Sequence, residues 1–144
     1  ACVGCGRCVS ACPFDAIEPI YDESPEIFNA KIVEYAMGAV KDKECFHISF
    51  ICDVSPYCDC HGENDVPVIP ILASRDPVAL DKACIDLAQK QMMIPGSRLW
   101  NNSHGVRPAD MFKCIQPSTD WQSTFVHAGK MGFGSSECIL KEVM

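Results

Sequence analysis

The sequence predicts an α/β protein in which a cysteine-bearing loop precedes a small mixed sheet with helices packed against it. Three observations predict this. Ser24-Pro25 and Asp76-Pro77 each place a capping side chain before a proline and an apolar pattern of helical period. Cys45–Cys52 and Val66–Leu72 are rich in β-branched or aromatic residues and short enough for strands. Cys2, Cys5, Cys8 and Cys12 crowd the front of the chain and are followed directly by Pro13. These divide the chain into a cysteine segment, residues 1-20, and an α/β region, residues 21-144.

The front cysteines stand at the spacing C-x2-C-x2-C-x3-C-P. Thiolates so spaced on a tight loop converge on one inorganic cube, and the spacing is the ferredoxin-type signature for a [4Fe-4S] cluster. Gly4 and Gly6 let the backbone come close enough for its N–H groups to reach the sulfurs. Val3, Val9, Phe14 and Ile17 supply an apolar lid. Cys8 and Cys12, four apart, share one side of a helical turn beside Pro13. A structural zinc site fits less well, because it usually needs two C-x2-C pairs set well apart; a disulfide framework gives no reason for the C-P end. In two-cluster ferredoxins the C-P cysteine serves the other cluster, so a second cluster or a ligand from elsewhere is a standing expectation. With no second C-x2-C-x2-C run and no leading methionine, the expectation is a fragment whose partner motif lies in a missing N-terminal region.

Asp15–Tyr21 reads as extended. From Pro25 a helix is predicted with Ile27, Phe28, Ile32, Tyr35, Ala36, Ala39 and Val40 as its inward stripe, and Lys41 and Lys43 at its C-terminal end. Cys45–Cys52 is apolar on both faces, as a buried central strand would be. Pro67 and Pro70 put Val66–Leu72 at a sheet edge or in a bent loop. The helix opened by Asp76 directs Leu80, Ala83, Cys84, Leu87 and Ala88 inward and ends near Gln91. Residues 92–117 show little periodicity and are expected to be one long irregular connection. A third helix follows Ser118-Thr119-Asp120, carries Trp121, Phe125, Val126 and Ala128, and stops at Gly129, Gly132 and Gly134. The tail from Ser135 is expected to add a short strand.

Cys52, Cys58, Cys60 and His61 form a second constellation at a strand end and in the loop after it. Cys58 and Cys60 alternate with aspartates, so in an extended chain both point the same way. They complete the iron-sulfur ligation, bind a separate zinc with His61, or are free thiols. Cys45, Cys84, Cys114 and Cys138 read as small buried hydrophobes. His47 reads as a satisfied core histidine, and His104 and His127 have no evident partner. Asp53, Asp59 and Asp65 with His61 form either a polar pocket with acid/base capacity or a set of solvated loop carboxylates.

Twelve basic against nineteen acidic side chains leave a net charge of −7 without a basic cluster, which argues against a nucleic-acid partner and suits docking to a basic redox partner protein. The apolar runs are too short to span a membrane. Eleven cysteines in a chain with a thiolate motif point to a reducing cytoplasmic setting, in an anaerobic or oxygen-limited organism.

CFHISFICDVSPYCDCHGENDVPVIP, ILASRDPVALDKACIDLAQ, IPGS and HAGKMGFGS together resemble the C-terminal half of the DUF362 proteins, in which an inserted ferredoxin motif is common. The most specific parts are Cys58-Asp59-Cys60 and Ala73 to Asp86. The family pattern runs a few residues longer between Pro70 and Ile71 and has an α/β region ahead of the cluster. The resemblance implies an iron-sulfur protein of α/β type and supplies no substrate.

The functional expectation is a single-electron carrier. Cys2, Cys5 and Cys8 hold iron, and Cys12 with one of Cys58 or Cys60 completes the ligation. The alternatives are a redox enzyme or enzyme subunit, with a pocket between residues 52-65 and 92–117, and a purely structural cluster or zinc site.

Overall fold

The structure is a computed structural model and describes residues 7–14, 16–17, 23–56 and 63–142. Along these run α1 (Arg7–Ala11), α2 (Pro25–Val40), β1 (His47–Ser49), β2 (Leu72–Ser74), α3 (Pro77–Lys90), α4 (Arg98–Asn102), α5 (Met111–Ile115) and α6 (Trp121–Met131). The strands pair antiparallel, His47 opposite Ser74 and Ser49 opposite Leu72. The helices-on-a-small-sheet reading therefore holds, and the sheet among the described residues is a two-stranded antiparallel ribbon.

Local chemistry starts the helices where expected. Ser24 Oγ accepts the Ile27 N–H at 3.5 Å, with proline at the first helical position. Asp76 Oδ1 accepts the N–H groups of Val78 and Ala79 at 2.9 and 3.0 Å. Such caps satisfy donors that the first turn leaves unpaired, for about 1 kcal/mol each. The C-terminal end of α3 is closed from outside by the Arg107 guanidinium, which donates to the carbonyls of Gln89 and Gln91. α6 ends where Gly132 turns left-handed at φ +66° and the Phe133 N–H reaches back to the Ala128 carbonyl at 2.9 Å. It runs through Gly129 rather than stopping there.

Among the described residues two clusters make the core. Val66, Ile69, Ala88, Leu99, Met111 and Ile115 pack together beneath the ribbon's far end, with Ile51, Val54, Leu87, Met93 and Phe112 against them. Val33, Val78 and Ala128 join α2, α3 and α6, flanked by Phe125 and Phe133. Fully burying a side chain such as Leu99 contributes on the order of 2 kcal/mol.

The α2 stripe does not face inward. Ile27, Phe28, Ile32 and Tyr35 are 52, 57, 48 and 82 % exposed, and Val33 is the helix's one buried residue. The helix instead lies on α6 by a more polar face: the Asn29 amide donates to the Asp120 carbonyl at 2.7 Å and to Ser123 Oγ at 2.9 Å. On the same interface His127 Nε2 meets Glu34 Oε1 at 3.1 Å, giving His127 the partner the sequence did not reveal. Nor is Cys45–Cys52 a central strand. Its inner residues face α3, while Phe46, Ile48 and Phe50 lie 64, 57 and 66 % exposed on the outer face. Residues 92–117 are not structureless, since α4 and α5 lie within them. In the described part of the tail, to residue 142, there is no strand.

Candidate functional site

The ladder of β1 and β2 continues irregularly toward the second cysteine constellation. The Ile69 N–H donates to the Ile51 carbonyl at 2.9 Å and the Asp65 N–H to the Val54 carbonyl at 2.8 Å. Pro67, between these bonds, and Pro70, between Ile69 and β2, have no N–H to offer, which interrupts the ladder. The Asn64 side-chain amide donates to Asp53 Oδ1 at 3.3 Å, a further tie across the ribbon. The chain thus enters the Cys58-Asp59-Cys60 stretch from Val54–Pro56 and returns from it at Asn64–Val66 side by side. Cys58, Asp59, Cys60 and His61 themselves lie outside the described residues.

The return point is anchored in the core. Asp65 is fully buried, against the expectation of a solvated or pocket-lining carboxylate. Its Oδ1 accepts the Leu99 N–H at 2.7 Å, and its carbonyl accepts the Ile94 N–H at 2.9 Å. Oδ2 has no hydrogen-bond partner among the described residues. Asp65 therefore reinforces the start of α4, where Ser97 Oγ already accepts the Trp100 N–H at 3.2 Å. This fastens the returning segment Asn64–Val66 to the α4 region. Asp53 does remain an exposed loop carboxylate.

Beside the outgoing strand lies a cleft of about 100 Å³, lined by Val54, Ser55, Pro56, Met111, Phe112, Ile115, Gln116 and Thr119. It falls between the 52–65 loop and the 92–117 connection, and the described lining is mostly apolar and uncharged. Phe112 in its wall stands edge-on to Trp121, ring centroids 6.1 Å apart, and Trp121 edge-on to Phe125 at 6.0 Å.

Of the front cysteines, Cys8 sits exposed on α1 and Cys12 just past its end, half-buried; both are free thiols. Cys2, Gly4, Cys5 and Gly6 lie outside the described residues. The chain folds back after Pro13 so that the Ala16 N–H points at Cys12 Sγ, 3.4 Å away. Backbone hydrogen bonds from Phe14 and Ala16, with a lesser one from Ile17, hold the Cys12 thiol below its ordinary range against an opposing desolvation. Amide donors aimed at sulfur favour the thiolate, the form that binds iron or zinc, so this donor fits a metal ligand. Among the described residues no three His, Cys, Asp or Glu side chains are grouped closely enough to hold a metal.

The remaining cysteines are less buried than expected. Cys45, Cys84 and Cys114 are half-buried, and Cys138 is exposed. Between the ribbon and α3 the structure brings together His47, Ser49, Asp81 and Cys84, a grouping that spacing in the sequence did not suggest. Burial pushes the Cys84 thiol up, opposed by a hydrogen bond with the Ser49 side chain and aided by the Asp81 charge. Burial also raises the Asp81 carboxyl, opposed by His47. A thiol held protonated is neither a ready nucleophile nor a metal ligand. His47, expected to be satisfied, keeps a buried Nε2 with no partner among the described residues.

This architecture defines an α/β protein in which helices pack on a small two-stranded antiparallel ribbon. The chain belongs to DUF362, a domain of unknown function, whose family model matches residues 7–86 and so spans Cys8, Cys12, Cys58, Cys60 and the first ten residues of α3. Comparison with curated proteins and with solved structures finds no match. Among the described residues no helix is long and apolar enough to cross a membrane.

Proposed function

We propose that this chain is an iron-sulfur protein of the ferredoxin type that transfers single electrons. The observation that carries the reading is the spacing of Cys2, Cys5, Cys8 and Cys12 ahead of Pro13, in which each position has a role in enclosing a cube. Cys2, Cys5 and Cys8 serve as three thiolate ligands of the cube, and Cys12 or one of Cys58 and Cys60 supplies the fourth. A second cluster would draw on the cysteines left over. When bound, a [4Fe-4S] cluster supplies reversible one-electron chemistry. The chain's residues would hold it as thiolates, turn amide N–H groups toward the sulfurs, and cover it with Val9, Phe14 and Ile17. The acidic surface would select a basic redox partner protein, in a reducing cytoplasm.

Anaerobic iron and sulfide analysis with EPR of the reduced protein tests the proposal. About four irons per chain corresponds to one cube and about eight to two. Cys5→Ala is expected to lose or rearrange the cluster; full iron and sulfide with unchanged reduction in that variant would refute the assignment.

The cleft beside Val54–Pro56 favours one further reading, a redox enzyme acting on a small, uncharged, largely apolar molecule. Filling the cleft with Thr119→Phe would then abolish turnover and leave the iron content unchanged.

A further inference from the structure

We infer that the backbone amide of Ala16 is a potential-setting group for whatever one-electron centre Cys12 ligates; this rests on the iron-sulfur reading above. The two described front cysteines are not equivalent. Cys8 lies exposed on α1, whereas Cys12 stands where the chain reverses after Pro13 and receives the Ala16 N–H at 3.4 Å. Within the sulfur distance range, a donor four residues on makes a closed loop whose geometry depends on the backbone rather than on any side chain. Taking up one electron adds one negative charge to the thiolate-bound centre. An N–H dipole already aimed at a ligand sulfur stabilises that added charge without reorganisation, so it favours the reduced form. The tuning amide therefore comes from the segment after the C-P cysteine, beyond the glycines that precede it.

The test uses the full chain, reconstituted anaerobically with iron and sulfide and titrated against an electrode poised with low-potential mediator dyes. Ala16→Gly keeps the amide and should reproduce the wild-type midpoint. Ala16→Pro deletes the N–H and should shift the midpoint to more negative values at unchanged iron and sulfide content. If proline at 16 prevents loading, replacing Ala16 by lactic acid, which puts an ester oxygen where the N–H stood, decides the matter with nearly the same chain shape. A normal cluster and an unmoved midpoint in the N–H-deleted protein would overturn the inference and leave the iron-sulfur reading standing. Wild-type chain that takes up no iron and sulfide would overturn both.

Discussion

Asp110 Oδ2 accepts the indole N–H of Trp121 at 3.0 Å while the other carboxylate oxygen, Oδ1, accepts the N–H groups of Phe112 and Lys113 at 3.0 and 3.1 Å. The Gln122 side-chain amide adds a fourth donor at 3.1 Å. One carboxylate thus starts α5 and ties it to the first turn of α6, which positions the cleft wall against the α2–α6 layer.

Asp110→Ala should cost about 1–2 kcal/mol, the sum of a lost cap and a stranded indole N–H, measured by urea unfolding at neutral pH. Burial alone would raise the Asp110 carboxyl, but its four hydrogen bonds outweigh that and hold it below the ordinary 3.8. Because the folded value is the lower one, this contribution is complete above pH 3.8 and disappears as pH falls through the folded value. Wild type should therefore lose its advantage over Asp110→Asn on acidification. An advantage that persists at the acid end of the titration would refute the linkage.

Gly134 closes over the cap of α3. It sits at φ +77°, and a Cβ there would come within 2.3 Å of Asp76 Oδ1, whose Oδ2 accepts the Ser135 N–H at 2.8 Å. Gly134→Ala should cost roughly 2–3 kcal/mol, through left-handed strain and a displaced cap together. Gly132→Ala, at φ +66° with open space around it, should cost only about 1 kcal/mol. Equal thermal destabilisation of the two variants would contradict the clasp.

Asp65→Ala leaves the Leu99 N–H buried without a partner and should destabilise by about 1–3 kcal/mol. Asp65→Asn keeps an acceptor for that N–H and should cost less than alanine. Hydrogen exchange at the Leu99 amide reports the difference: protection retained with asparagine and lost with alanine.

The outer faces give the opposite expectation. Phe50→Ser and Ile32→Ser, at positions 66 and 48 % exposed, should leave stability within about 0.5 kcal/mol of wild type. Leu99→Ala, 1 % exposed, should cost about 2–5 kcal/mol. A large loss at Phe50 would mean that this face is covered.

Much of the local structure was legible because its causes are local. The caps at Ser24 and Asp76 and the glycine after α6 act within a few residues, and the helices start and end there. Ser97 and Asp110 sent the same signal for α4 and α5. It went unread because five-residue helices are too short to show a period. Of the candidate site, the cysteine spacing could be read directly, whereas the amide turned onto Cys12 could not, since the turn that delivers it depends on backbone direction.

By itself the sequence determined where α2, α3 and α6 begin and which stretches could pair as strands; each is settled by neighbours along the chain. Only the tertiary structure decided which surfaces are buried. α2 carries apolar groups on much of its circumference, and periodicity alone did not select the face on which Asn29 bonds to Asp120 and Ser123. Asp65, a polar loop residue by sequence, is buried where its carboxylate meets the N–H of Leu99, thirty-four positions away. Burial is a property of two surfaces meeting, and a one-dimensional pattern describes only one of them.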